Sequence, residues 1–294
     1  MDDYLPIYAR ILDDVCPIPT DSFPDAFDSR FARLSHKEGK TAWNHRTENA
    51  GKLLGMYYEK DGVIHITQRT RVFLETNDQP AFFKSVCFKF QQPNGSQKIQ
   101  TIKEKVRHKI RFKPYHFVIK LLKLASENNV VLTKDEIAYY VLNCLETLQG
   151  KISPQTAFDR IKKDRETNSH KERGFINEDV KTQFVLLELA NLVRIRDKSI
   201  ILNRKEAQTI NLFEEELKAT LRFDVTVFDL SAKYAQKTIS LAWQEYYASI
   251  SNFEFSRFYT TLDALDIPFY TDLELREPLG RKSPLPQNQS KVQA

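Results

Sequence analysis

One order of residue types is written twice in this chain, and that repetition constrains its fold more than any other feature. The first copy is GKLLGMYYEKDGVIHITQRTRVFLE, residues 51–75, and the second is ELANLVRIRDKSIILNRKEAQTI, residues 188–210. Each begins with the apolar end of a helix, Leu53 and Leu54 or Leu189 and Ala190. Each then breaks at a residue that tolerates a left-handed backbone, Gly55 or Asn191. A short strand, a polar turn (Lys60-Asp61-Gly62, or Asp197-Lys198) and a second strand follow. Asp-Gly between strand-like runs is a strong hairpin signal. Thr67 and Asn203, each with a basic residue close behind, open a further helix.

Helix, two-stranded hairpin, helix is how winged-helix DNA readers are built. The expected fold is therefore mainly α with short β-hairpins (α+β), holding two winged-helix (helix-turn-helix) subdomains. At 294 residues the chain is long enough for both. Residues 1–22, with three Pro and many Asp, read as an N-terminal arm. Residues 23–112 read as the first subdomain with a basic connecting segment, and 113–224 as the second. Residues 225–294 read as a C-terminal helix, near 240–250, and an extended tail marked by Pro268, Pro278, Pro284 and Pro286. Within the subdomains, helices are predicted from Pro24 through Phe27 and Phe31, over about 42–54, and over 79–90 up to the turn Pro93-Asn94-Gly95. Others are predicted over 114–127, after the N-cap Thr133 with Glu136 at the capping-box position, after Ser153-Pro154, and over 176–190.

Composition excludes several classes. The chain is 41% hydrophobic and 28% charged, ordinary for a globular protein. It has no run of about 18 apolar residues, so no membrane span is expected. The acidic N-terminus lacks the pattern of a secretory signal. Cys16, Cys87 and Cys144 are widely spaced, which argues for a reducing, cytoplasmic setting and against a zinc site. Eight scattered glycines form no phosphate loop, and no nucleophile elbow or HExxH occurs. The acidic-x-Lys triplets Glu38-Gly39-Lys40, Asp179-Val180-Lys181 and Glu216-Leu217-Lys218 fall in a loop and on predicted helices, whereas Mg²⁺ nuclease motifs of this kind lie on paired strands. Asn44-His45-Arg46 has no partners for an HNH site. No catalytic residue, metal ligand or cofactor site is assigned.

DNA contact is the chemistry the charges suit. In TIKEKVRHKIRFK, residues 101–113, Lys103, Lys105, Arg107, Lys109, Arg111 and Lys113 stand at every second position. In an extended strand they would share one face, a cationic row fit for phosphates; a solvated, lysine-guarded edge strand is the plainer alternative. The helix before each hairpin is expected to enter the major groove with its N-terminal residues at base edges. That selects Asn44, His45, Arg46 and Asn49 in the first subdomain. In the second, Val180, Phe184 and Leu187 set the core side and leave Asn177, Glu178, Lys181 and Thr182 outward. Arg69 and Arg71 beside the first hairpin, and Lys162 and Lys163, are expected phosphate contacts. Arg165 lies with the latter pair, among enough carboxylates to suit a solvated face equally.

Four segments, NHRTENAGKLLGMYYEKDG (44–62), QPAFFKSVCFKFQQPNG (79–95), DEIAYYVLNCLETLQGKISP (135–154) and LELANLVRI (187–195), resemble in order the N-terminal DNA-recognition region of BpuJI-like type IIS restriction endonucleases. The resemblance spans most of residues 1–250 and weakens beyond. It implies two winged-helix subdomains that read an asymmetric site on double-stranded DNA; the unlike outward residues of the two pre-hairpin helices and the lack of a long heptad helix add the expectation of a short site bound by a monomer. It also implies a separate PD-(D/E)XK nuclease domain, absent from this chain, that would use Mg²⁺. A plasmid replication initiator or transcription regulator with two winged helices, a complete small Mg²⁺-dependent nuclease, and a winged helix used only for protein contact remain as alternatives at this stage.

Overall fold

The computed structural model describes residues 4–167, 178–219, 221–250, 254 and 257–259. The chain divides into two compact units, one built on Met1–Gln79 with Ala248–Ile250, the other on Pro80–Tyr247 with Ser251–Tyr259. The division thus falls well before residue 112. Helices dominate, joined by two small antiparallel sheets, as expected from the sequence.

The first unit begins where an arm was expected. Helix α1 (Leu5–Val15) has Pro6 in its first turn and buries Leu5, Tyr8, Ala9, Ile11 and Leu12. Its apolar face is core, so residues 5–15 are an integral helix rather than an appendage. The next residues form β1 (Ile18–Pro19). Helix α2 (Phe23–Ser35) buries Phe23, Phe27 and Phe31, one face at four-residue spacing. Helix α3 starts at Lys40–Asn44 and continues in π-helical form over His45–Leu53. Gly51 sits in that wider stretch because a Cβ there would lie 2.8 Å from the Tyr57 hydroxyl. Gly55 then takes φ 61° and ends the helix. Strands β2 (Tyr57–Lys60) and β3 (Val63–Ile66) meet through Asp61 (φ 51°) and Gly62 (φ 75°), the double left-handed turn that suits the twist of a two-residue hairpin. Strand β1 pairs with β3 through Ile18 opposite Ile64, giving the sheet order β1-β3-β2. Thr67 caps α4 (Gln68–Thr76), and its hydroxyl lies 2.9 Å from the Gly55 carbonyl oxygen, to which it donates.

The second unit opens with α5 (Gln79–Lys89), buried over nearly its whole circumference, and α6 (Ile99–Arg107). Helix α7 (Pro114–Glu127) is the central element, with α10 (Pro154–Glu166) and α12 (Ala207–Lys218) packed on it. Between α7 and α10 lie β4 (Leu132–Thr133), α8 (Lys134–Ile137, prolonged as a π-helix to Leu142) and the short α9 (Leu145–Leu148). The Thr133–Glu136 capping box forms as expected, and Ser153 caps α10. Helix α11 (Glu178–Leu189) ends near Asn191, left-handed at φ 57°, and leads to β5 (Val193–Arg196) and β6 (Ser199–Leu202). Strand β4 pairs with β6, giving the order β4-β6-β5. Asn203 repeats the role of Thr67: its side-chain amide donates to the Asn191 carbonyl at 2.8 Å, and its carboxamide oxygen caps the turn that opens α12. Helix α13 (Ala235–Ala248) is longer than the 240–250 stretch expected. Gly95 lies against it so closely that a Cβ would come within 2.3 Å of the Trp243 Cβ.

Residues 101–113 are not a strand. Helix α6 runs to Arg107 and ends through Lys109, left-handed at φ 55°, with the Ile110 amide bonded to the Lys105 carbonyl at 2.9 Å. Ile102 and Ile110 are buried, as is Phe112, whose backbone pairs with Gln92. Ile102, Val106 and Ile110 are spaced by four, which satisfies a helical face as well as an alternating one. The expected single cationic face is therefore absent. The proline-marked tail after residue 259 lies outside the described residues.

Candidate nucleic-acid interface

In the first unit the helix before the hairpin is α3, and burial divides its expected readers. Asn44 is exposed, with the neighbouring Lys40 and Trp43, the latter 46% exposed despite its size. His45 turns inward. Its Nδ1 hydrogen-bonds the Tyr8 hydroxyl, and its ring lies 4.6 Å from Phe31 and 4.7 Å from Tyr4. Burial first, and the positive charge of Lys37 second, lower its pKa, which favours the neutral imidazole. Arg46 is held by Asp28, with Nε to Oδ1 at 2.9 Å and Nη2 to Oδ2 at 3.3 Å, and its guanidinium lies 5.9 Å from the Phe23 ring centre. Its side chain is only 11% exposed, so Arg46 ties α3 to α2 in place of the base contact expected from sequence. Asn49 is half-buried and hydrogen-bonds Tyr8. The outward face of α3 is thus carried by Lys40, Trp43, Asn44 and Lys52, with Lys52 paired to Glu48 at 2.7 Å.

Arg69 and Arg71, two residues apart, have opposite fates. Arg69 is fully buried and donates from Nη1 to the Leu54 carbonyl at 2.9 Å, satisfying the end of α3. It cannot also reach a phosphate in this position. Arg71 is exposed on α4 and borders a cavity of about 420 Å³ with Asp13, Cys16, His65 and Glu75.

In the second unit α11 precedes the hairpin. Val180, Phe184 and Leu187 are buried on its core side, as the sequence predicts, while Lys181 is exposed and Thr182 half-exposed. Asn177 lies outside the described residues. Lys162 and Lys163 are exposed on α10, the former 5.8 Å from the Phe158 ring centre. Arg165 is instead bound by Glu136 at 2.6 and 2.7 Å.

The six cations of 103–113 do not act alike. Lys103, Arg107 and Lys109 are exposed. Lys105 donates to the Gln92 side chain at 3.0 Å, and burial lowers its pKa to about 8. Arg111 pairs with Asp224 at 3.2 Å. Lys113 is buried, donating to Glu216 at 2.8 Å and to the Glu216 and Ala219 carbonyls. Burial is also the first influence on the Glu216 carboxyl, but bonds from Arg222 and Lys113 outweigh it and bring its pKa down to about 2. Two exposed arginines that sequence reasoning passed over, Arg194 and Arg196, stand on β5. Their alternation was visible in the hairpin sequence. The exposure of Trp43 had no sequence signal, because an aromatic in an amphipathic helix reads first as core.

Among the described residues, no group of three or more His, Cys, Asp or Glu is placed to hold a metal ion. No described helix is long and apolar enough to cross a membrane. A family model described as the N-terminal part of restriction endonuclease BpuJI matches residues 1–244. A solved structure of pyrene- and phenanthrene-modified DNA in complex with the BpuJ1 endonuclease binding domain is 40% identical to the chain, covers 84% of it and 92% of that chain, and superposes with a TM-score of 0.80. No curated protein sequence matches.

Proposed function

This chain belongs to the family of the BpuJI restriction endonuclease N-terminal region, and from that premise we propose that it is a sequence-specific recognition domain for double-stranded DNA. One observation carries the reading. In each unit a helix and a two-residue strand are followed by helices, α2 and α3 in the first and α8 to α11 in the second, and then by a hairpin, and each closes its sheet in the same order, β1-β3-β2 and β4-β6-β5. That order is the construction of a winged helix, with α1 and β1 supplying the first helix and strand of one copy and α7 and β4 those of the other. The helix ahead of each hairpin, α3 or α11, is then the one that enters the major groove. The DNA held by the related binding domain supports the same ligand here.

The readers are the outward residues of those helices: Asn44, with Lys40 and Trp43 beside it, on α3, and Lys181 and Thr182 on α11. Asn suits adenine, and Lys the acceptors of guanine. Arg71, Lys103, Arg107, Lys109, Lys162 and Lys163 supply phosphate contacts, which add affinity without sequence information. Two unlike readers in one chain favour a short site without internal symmetry, bound by one copy. Cleavage belongs to a nuclease domain outside this chain, which would bring its own Mg²⁺, and DNA as partner implies a cytoplasmic setting. Selection of duplexes from a randomised pool, followed by light scattering of the complex, tests the reading. One asymmetric site bound one-to-one is expected, with no nicking of plasmid in Mg²⁺. A two-to-one complex on a palindrome, or cleavage by this chain alone, refutes it.

A further inference from the structure

We infer that the second hairpin, β5–β6, is a phosphate clamp built on Arg194 and Arg196, and that the first hairpin has no equivalent. The inference rests on the DNA-reading proposal and deepens it. In β5, Val193 is buried while Arg194 and Arg196 are exposed. Arg194 lies opposite Ile201 and Arg196 opposite Ser199. Side chains two apart on a strand share a face. The outward face of this hairpin therefore carries two guanidinium groups roughly 7 Å apart along the strand, next to Ile201, which is 40% exposed.

Neither of these two arginines holds a carboxylate, and both stand on one face of one strand. Arg30, Arg46, Arg111, Arg160, Arg165 and Arg222 each hold an Asp or Glu. Arg204 holds the Ser126 carbonyl and hydroxyl. Among the described residues, Arg194 and Arg196 form no ion pair or side-chain hydrogen bond; the exposed Arg33, Arg71 and Arg107 are likewise without an ion pair, but each stands singly on a helix, whereas Arg194 and Arg196 share one strand face. Two bare arginines at one register, on the edge strand of a sheet, fit a ligand that supplies the missing negative charge. The phosphate backbone flanking the groove entered by α11 is such a ligand, and Arg is suited to grip it with paired N–H donors.

The first hairpin sits at the same register and differs in kind. Tyr58 and Lys60 take the places of Arg194 and Arg196, and the Tyr58 ring stacks on His65, its cross-strand partner, at 5.4 Å. Residues 57–66 hold one basic side chain against Glu59 and Asp61, whereas 193–202 hold three against Asp197 alone. A clamp on one hairpin only would make the two subdomains unequal in their phosphate contacts.

The test is the salt dependence of binding, with two probes: a duplex selected by the wild-type chain and an unrelated duplex of equal length. R194Q/R196Q is expected to make the slope of log K against log salt shallower by about 1.8 on both probes, with the ranking of single-base variants unchanged. R194K/R196K should keep the slope, and K60Q should leave it unaltered. Circular dichroism and the melting temperature show that the variants remain folded. An unchanged slope in R194Q/R196Q overturns the clamp while DNA reading stands. A wild-type chain that selects no duplex overturns the recognition proposal and this inference together.

Discussion

Replacing Glu216 by Gln tests a buried ion cluster of the second unit. The carboxylate is 8% exposed and accepts three charge-assisted bonds, from Lys113 Nζ at 2.8 Å and from Arg222 Nε and Nη2 at 2.7 Å each. E216Q keeps the shape and one acceptor but removes the charge that offsets a buried ammonium. Breaking a buried pair on one side costs about 3–5 kcal/mol, because the other charge stays buried. Here Lys113 keeps the Glu216 carbonyl at 2.7 Å and the Ala219 carbonyl at 3.2 Å, and Arg222 is largely exposed. The loss should therefore fall at the low end, about 3 kcal/mol. The readout follows from the two tryptophans: W43F leaves the buried Trp243 as the sole reporter of the second unit. In that background E216Q should lower the urea midpoint of the Trp243 emission transition without changing its slope. The pH dependence has a definite sign. The folded-state pKa of Glu216 is depressed, from 4.5 to about 2, so its contribution is present above the unfolded value and is lost as pH falls through that window. E216Q should be less stable than its parent at pH 7 and approach it toward pH 2. A loss below about 1 kcal/mol, the scale of an exposed pair, with no pH difference between the two proteins, refutes the reasoning.

Arg46→Ala removes the Asp28 bonds and the contact with Phe23. It should destabilise the first unit by about 1.5–3 kcal/mol in denaturant titration and weaken binding equally on all single-base variants; loss of preference at one base alone would restore Arg46 as a reader. K103Q/R107Q/K109Q should reduce the salt slope by up to about 2.7, whereas Lys113→Gln should leave the slope unchanged and lower the denaturant midpoint. Gly95→Ala would place a Cβ 2.5 Å from the Ile239 carbonyl oxygen; a denaturation midpoint matching the parent would show that α13 gives way freely.

Local chemistry made much of this protein legible in its sequence. Gly55 and Asn191 mark helix ends because a left-handed backbone is needed there and few residues supply it. Asp61-Gly62 specifies a hairpin, and Thr133 with Glu136 specifies a cap, through bonds that span three residues or fewer. The core side of α11 followed from helical spacing alone. The third strand of each sheet did not, because two residues such as Ile18–Pro19 or Leu132–Thr133 are too short to show a period. The acidic, proline-bearing N-terminus hid α1, whose apolar face has meaning only against α2. In 101–113 the spacing of four among Ile102, Val106 and Ile110 satisfied both a strand and a helix, and the surrounding core decided for the helix. The fate of the charges was decided still further from the local sequence. Arg46 finds Asp28 18 residues away and Lys113 finds Glu216 103 residues away, while Arg194 and Arg196 find no acid among the described residues. Whether a cation is a structural tie or an open contact depends on which carboxylate the folded chain brings within reach, and that is a property of the tertiary structure.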